Sequence, residues 1–276
     1  MDKVFVSNDQ DFAIALQELK KRVAANKHTA NANLSESLLK RTLWAKHNDL
    51  KSSEALLVAY ANWHLKTLGN ASARLSIKDV HPFLLTGILQ SLPGCEDVDS
   101  LPVVYMRPNK YYPNQIPWQH VVNALVYLLE VTTGEQEKAA KYGFTFVCDM
   151  QDWGWSNFGT TYAAQFFSIL SGRFPVRIRK FVLVNPPSLF PMVWKLIKPM
   201  MGEELASKFC FATSTTVGEV VKVQGLPAEV GGLRVEDGAI RMKEWVVERC
   251  RVEGAPYNDI LIQNFNWKEP LERKEE

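Results

Sequence analysis

Any catalysis or metal binding in this 276-residue chain would have to be built from five histidines, four cysteines and scattered carboxylates. His28, His47, His64, His81 and His120 all lie in the first half of the chain, and no spacing pairs them with one another. They read as surface or helix-end histidines. Cys95, Cys148, Cys210 and Cys250 stand far apart, without the CxxC or Cys/His spacing of a structural zinc site, so free thiols in a reducing compartment are expected. Asp149 and Asp152 follow an apolar strand, a place where α/β sheets put chemistry. With no third ligand in the pattern, they are expected to serve in caps and turns. The GxSxG elbow, the GxxxxGK[ST] phosphate loop, GxGxxG after a strand and HExxH are all missing. Neither an enzymatic role nor a cofactor or metal is expected.

Apolar material is what the chain has in unusual arrangement. Residues 189–201, LFPMVWKLIKPMM, are apolar on nearly every face except at Lys195 and Lys198, which share one side. Such a helix is either deep in a core or covers something apolar, and Pro191 and Pro199 are expected to limit it to a short, separately hinged element. In the strand FTFVC the period of two places Phe144, Phe146 and Cys148 on one face. Phe166, Ile169 and Leu170 form an i, i+3, i+4 set on the following helix. Together these make a filled core or the wall of a cavity. Extended chain through Val176, Arg177, Ile178 and Arg179 projects the two arginines together, beside Lys180 and Arg173, as a phosphate-binding fork or a solvated charged edge.

These features need elements to hold them. From Asp9 to about Leu92 apolar residues recur at threes and fours (Phe12, Leu16, Leu19; Leu38, Leu39, Leu43; Leu56, Leu57, Tyr60, Trp63), which predicts a block of helices. Ser35 and Ser53 are expected N-caps, Gly69-Asn70 a stop, and Asp79 opens a last helix through Phe83, Leu84, Ile88 and Leu92 before Pro93-Gly94 breaks the chain. Strands and helices then alternate. Strands are predicted at 103–106, 144–148 and 181–184, and helices at 118–141, 160–171 and 189–201, so this second block is α/β with helical crossovers. The tail LERKEE is read as a solvated end.

The balance of 32 Lys and Arg against 30 Asp and Glu leaves too little net charge to coat a nucleic-acid backbone, so no nucleic-acid partner is expected. The N-terminus lacks a basic stretch before an apolar core, and no run of about 18 apolar residues occurs. The expected location is the cytoplasm.

The run FPVRIRKFVLVNPPSLFPMVWKLIKPMM, residues 174–201, resembles the signature of the Sec14-like, or CRAL-TRIO, lipid-binding proteins. That signature is an aromatic-Pro pair, a basic strand, an apolar strand ending in Asn-x-Pro, and an apolar helix closing with Lys-Pro. LPAEVGG (226–232), CDMQDWG (148–154) and LLKRTLWAKHNDL (38–50) resemble further segments of that family, in the right order, over roughly residues 34–235.

The resemblance implies an α/β fold in which a helical N-terminal lobe (1–94) packs on a mixed-sheet lobe (95–235) that encloses a large hydrophobic lipid cavity under a mobile gate helix, followed by a C-terminal extension (236–276). It matches Phe144, Phe146, Cys148, Phe181 and Leu183 to the cavity floor, and Phe166, Ile169 and Leu170 to its wall. Phe190, Val193, Trp194, Ile197 and Met201 match the gate. Lys46, Arg177 and Lys208 match basic phosphate-binding positions of the family, and with Arg179 they imply a phosphoinositide or headgroup site on the surface. Phosphatidylcholine-binding members carry hydroxyl side chains where this chain has Phe144 and Phe146, and phosphatidylinositol-binding members a Glu where it has Val176. The expected ligand is therefore an apolar or weakly polar lipid, and the expected second partner an anionic, peripherally contacted membrane. The chain would transfer or present that lipid, or act as a lipid-sensing module through a protein partner.

Overall fold

The computed structural model describes residues 9–32, 34–68 and 74–257. Four helices come first: α1 (Asp9–Ala25), α2 (Glu36–Ala45), α3 (Leu50–Leu68) and α4 (Ile77–Leu84). Helix α1 buries Leu16, Leu19 and Val23, the i, i+3, i+7 stripe of an amphipathic helix. Ser35 caps α2 as expected, its hydroxyl accepting from Leu38 N at 3.3 Å. Ser53 does not cap α3. Asp49 does, accepting from Ser52 N at 2.7 Å, while Ser53 lies a turn inside and buried. The Gly69-Asn70 stop and the LERKEE tail lie outside the described residues.

The predicted last helix is shorter than expected, because Leu89–Glu96 forms strand β1 and pairs antiparallel with β2 (Pro102–Met106). Apolar residues at 88, 89 and 92 fit either period, and cross-strand pairing decides between them. Pro93 and Gly94 fall within the register shift between Ser91 and Glu96, so they bend the strand where a break in the chain was expected. The long helix expected over 118–141 is two helices, α5 (Trp118–Glu135) and α6 (Glu137–Tyr142), divided by extended backbone at Gln136. Strand β3 (Phe144–Asp149), helix α7 (Thr160–Leu170), strand β4 (Ile178–Val184) and helix α8 (Phe190–Ala206) follow the predicted order. Strand β5 (Phe209–Ala212) and helix α9 (Gly238–Val252) were not predicted.

The five strands lie in chain order, with β2 to β5 parallel and β1 antiparallel at one edge. Helices α5, α7 and α8 all cover one face. There Phe146 stands between Val104 and Phe181, and Cys148 between Met106 and Leu183, in one core that reaches α1 to α4 and α9. The other face, Val147, Val182 and Val184 among it, is covered by turns carrying Val217, Val221, Leu226 and Val230. Those turns lie close: a Cβ on Gly231 would stand 1.9 Å from Ser214 O, and one on Gly232 1.8 Å from Leu226 O, so the backbone admits only glycine.

The helical block is tied to the sheet block by Arg41, which donates to Glu130 at 2.6 Å and to Thr133 at 2.7 Å. Helix α9 is anchored by Glu253, which accepts from Tyr127 OH at 2.5 Å and Ile77 N at 2.8 Å. His64 is a core residue, not the surface residue expected, with its ring 4.1 Å from that of Tyr60. No cysteine forms a disulfide among the described residues.

Candidate functional site

Two features of the helical face meet at α8. Beneath its first half lies an apolar void, walled by α7 and floored by β3 and β4. Cys148, Phe181 and Leu183 from the floor, Phe166 from the wall, and Phe190, Val193 and Ile197 from the expected gate all line it. Phe144, Phe146 and Ile169 are buried in the same core but fill it without reaching the void. Leu170 and Met201 open on a different cleft, and Trp194 packs outside against Phe209 at 4.9 Å.

The void measures about 80 Å³, which corrects the expectation of a large cavity. An engineered apolar cavity of about 150 Å³ binds benzene, roughly twice the size of this void. Aromatic rings occupy the remaining space. Phe181 is their hub, 4.4 Å from Phe209, 5.1 Å from Phe146 and 6.4 Å from both Phe166 and Phe167. Phe209, Phe167, Tyr162 and Trp153 line the void and were missed by sequence reasoning. Tyr162 precedes Phe166 by one helical turn, and Phe209 stands in register with Phe181 on the unpredicted strand. Trp153 sits in a loop that carries no period.

Helix α8 runs past Pro199, which was expected to bound it near Met201. It continues to Gly202, whose φ of 68° and ψ of 165° interrupt it before the last turn. Ring closure at Pro199 removes one donor, but only the left-handed backbone at 202 redirects the chain. The break therefore follows the gate segment, and residues beyond it wall the second feature.

That second feature is an open cleft of about 1140 Å³, lined by Lys46 from the end of α2, Arg177 and Arg179 from the start of β4, and Lys208 after α8. All four expected headgroup residues are thus brought together. Arg173 and Lys180 join them, against Glu203 and Glu204 as the acidic residues lining it. Arg177 is positioned by donating to Trp44 O at 2.9 Å and lies 3.1 Å from the His47 ring. Lys208 donates to Glu204 at 2.8 Å, and this bond holds the Glu204 carboxyl below its ordinary range.

Cys148 and Asp149 end β3, and Asp152 follows in the next turn. Asp149 is buried at the end of β3, accepts from Gln151 N at 3.1 Å, and lies 3.5 Å from Arg107 Nε; burial raises its pKa. Asp152 sits in the turn with a φ of 59°. Burial likewise pushes the Cys148 thiol up, away from thiolate chemistry. Among the described residues no group of three or more His, Cys, Asp or Glu is placed to hold a metal ion, and no helix is long and apolar enough to cross a membrane.

Comparison with known proteins agrees with this geometry. The CRAL/TRIO domain model matches residues 85–232, more than half of the chain. The chain is 28% identical over 199 residues to the human protein "Alpha-tocopherol transfer protein-like", covering 70% of this chain and 57% of that protein; the mouse protein of the same name is 26% identical over 197 residues. A shorter stretch of 115 residues is 27% identical to human "Tyrosine-protein phosphatase non-receptor type 9", 41% of this chain and 19% of that one. The chain thus spans just over half the length of the first two relatives. Among solved structures, that of Sfh5 superposes with a TM-score of 0.56 at 14% identity, covering 90% of this chain and 99% of its own, and so shares the fold. With the signature segments, the one-faced helical cover and the family model all in agreement, the chain belongs to the CRAL-TRIO family, of Sec14-like fold.

Proposed function

We propose that the protein binds an apolar or weakly polar lipid between the sheet and α8 and transfers or presents it at anionic membranes. The observation that carries this reading is that one helix roofs an apolar void with its first half and walls a basic cleft beyond Gly202. The name of its human relative, a tocopherol transfer protein-like chain, supports a lipid of that apolar class. Burial of a hydrocarbon tail contributes about 0.8 kcal/mol per methylene, so a tail of ordinary length is held without any hydrogen bond. Entry requires α8 to lift and the rings around Phe181 to turn aside.

Lifting α8 would bring its exposed Met192 and Leu196 to a membrane interface while Lys46, Arg177, Arg179 and Lys208 meet phosphoinositide or other anionic headgroups. Each well-placed basic residue contributes about 1 kcal/mol. Docking and ligand exchange are coupled because they use the same helix. The match of a short stretch within a much longer tyrosine phosphatase favours a second reading, a lipid-sensing module acting on a partner protein.

Mass spectrometry of lipid extracted from the purified protein tests the interior ligand, and phosphatidylcholine as the main species would refute it. Sedimentation with phosphoinositide vesicles tests the cleft, which loses its assigned role if Arg177→Ala with Arg179→Ala binds as the parent does. A donor-to-acceptor vesicle assay separates transfer from sensing.

A further inference from the structure

The turn that closes α2 uses backbone that side chains seldom adopt. His47 has a φ of 53° and Asn48 a φ of 64°, two left-handed residues in succession where neither is glycine. Lys46 N and Asn48 N hold the turn by donating to Leu43 O at 3.2 and 2.8 Å. The exposed His47 thereby becomes part of the lining of the basic cleft. Unusual backbone of this kind is a pointer to function at the site it borders.

The ring meets the cations of the cleft directly. Arg177 Nη2, at the start of β4, stands 3.1 Å from both ring nitrogens, and Lys46 is the preceding residue. From the end of α8, Glu204 is attracted by Lys46 and His47 and accepts from Lys208. Its side chain is 81% exposed, so water screens it and it is a weak resident counter-ion. Arg173, Arg179, Lys180 and Glu203 are the other charged groups of the cleft, and Asp49 is turned away to cap α3. A neutral imidazole accepts from the Arg177 guanidinium, whereas an imidazolium has two donors and no acceptor. Protonation therefore breaks this contact and leaves two cations side by side, an arrangement that an anion bound between them makes favourable.

We propose that His47 is a further anion-binding residue of the cleft, joining Lys46, Arg177, Arg179 and Lys208 when it is protonated, so that the chain docks more tightly on anionic membranes at mildly acidic pH. The inference rests on the membrane-docking role proposed above for the cleft and names how that site is regulated. An ordinary imidazole titrates near 6.5, within reach of physiological pH. By linkage, an anion that prefers the imidazolium raises the pH at which the ring titrates, and protonation tightens anion binding by the same factor.

The test uses vesicles of phosphatidylcholine containing phosphatidylglycerol, whose charge is constant between pH 5.5 and 7.5. Sedimentation of the full chain at fixed ionic strength is expected to show roughly threefold tighter binding at the lower pH. One added cation is about fivefold in affinity, and crossing a pKa near 6.5 realises most of it. His47→Asn, which is neutral and tolerates left-handed backbone, is expected to bind equally at both pH values. His47→Lys, charged throughout, is expected to bind at pH 7.5 as the parent does at pH 5.5. Parent-like pH dependence in His47→Asn overturns the inference, as does a parent that binds equally at both pH values; in either case docking through the cleft stands. If the vesicles sediment the parent at neither pH, or sediment Arg177→Ala with Arg179→Ala as well as the parent at both, the docking role falls and this inference with it.

Discussion

Replacing Phe181 by alanine separates the stability of the empty protein from that of the loaded one. Its ring is 3% exposed and touches four other phenylalanines at the edge of the void. Truncation removes the transfer free energy of the ring and leaves a hole that the parallel sheet cannot close, which costs about 3–5 kcal/mol. For a chain of this length that is a fall in Tm of roughly 5–9 °C. The enlarged void is also better shaped for a hydrocarbon, and about five methylenes at about 0.8 kcal/mol each offset the whole loss. Urea unfolding with and without saturating oleyl alcohol measures both quantities. Recovery of most of the lost stability on adding the alcohol is expected, with a smaller gain for the parent protein. If the alcohol restores nothing, the rings are an ordinary core and the interior does not receive lipid.

Gly202→Ala should cost about 1–3 kcal/mol in urea unfolding, since the backbone there lies in a region that only glycine occupies comfortably; an unchanged midpoint would show that the break in α8 is set elsewhere. Gly232→Ala should destabilise by about 4 kcal/mol or more, because its methyl has no room against Leu226 O, and a loss within about 0.5 kcal/mol would contradict that packing. At Glu253 burial alone would raise the carboxyl, but hydrogen bonds from Tyr127, Ile77 N and Arg249 outweigh it and hold the pKa below the usual 4.5. A depressed folded-state pKa means stability that is present above that value and lost as pH falls through the folded one. Glu253→Gln should therefore cost about 1.5–3 kcal/mol at neutral pH and flatten the acid limb of the stability profile; a parallel profile would refute this anchor for α9.

Periodicity was enough to find α1 to α3, β3, α7 and β4, because each carries a stripe or alternation that matches its burial. It failed at Leu89–Glu96, where the same apolar spacing serves a strand once β2 is beside it. It also failed at β5, whose four residues FCFA are too short to show a period. The clustering of Lys46, Arg177, Arg179 and Lys208 was readable only through resemblance, since they come from three separate parts of the chain. The void's small size was not readable at all. Volume depends on how rings from α7, β4 and β5 interlock, and a linear pattern encodes which face a ring takes but not how closely it nests.

The unequal cover on the two sides of the sheet has a mechanical consequence. Gly231 and Gly232 lock the rear turns to one another, since their main chain rests against Ser214 O and Leu226 O with no room for a side chain between them. Any swelling of the interior must then be accommodated by the opposite layer alone, so the molecule should dilate like a hinged box with one rigid wall, its compliance concentrated in α7 and α8.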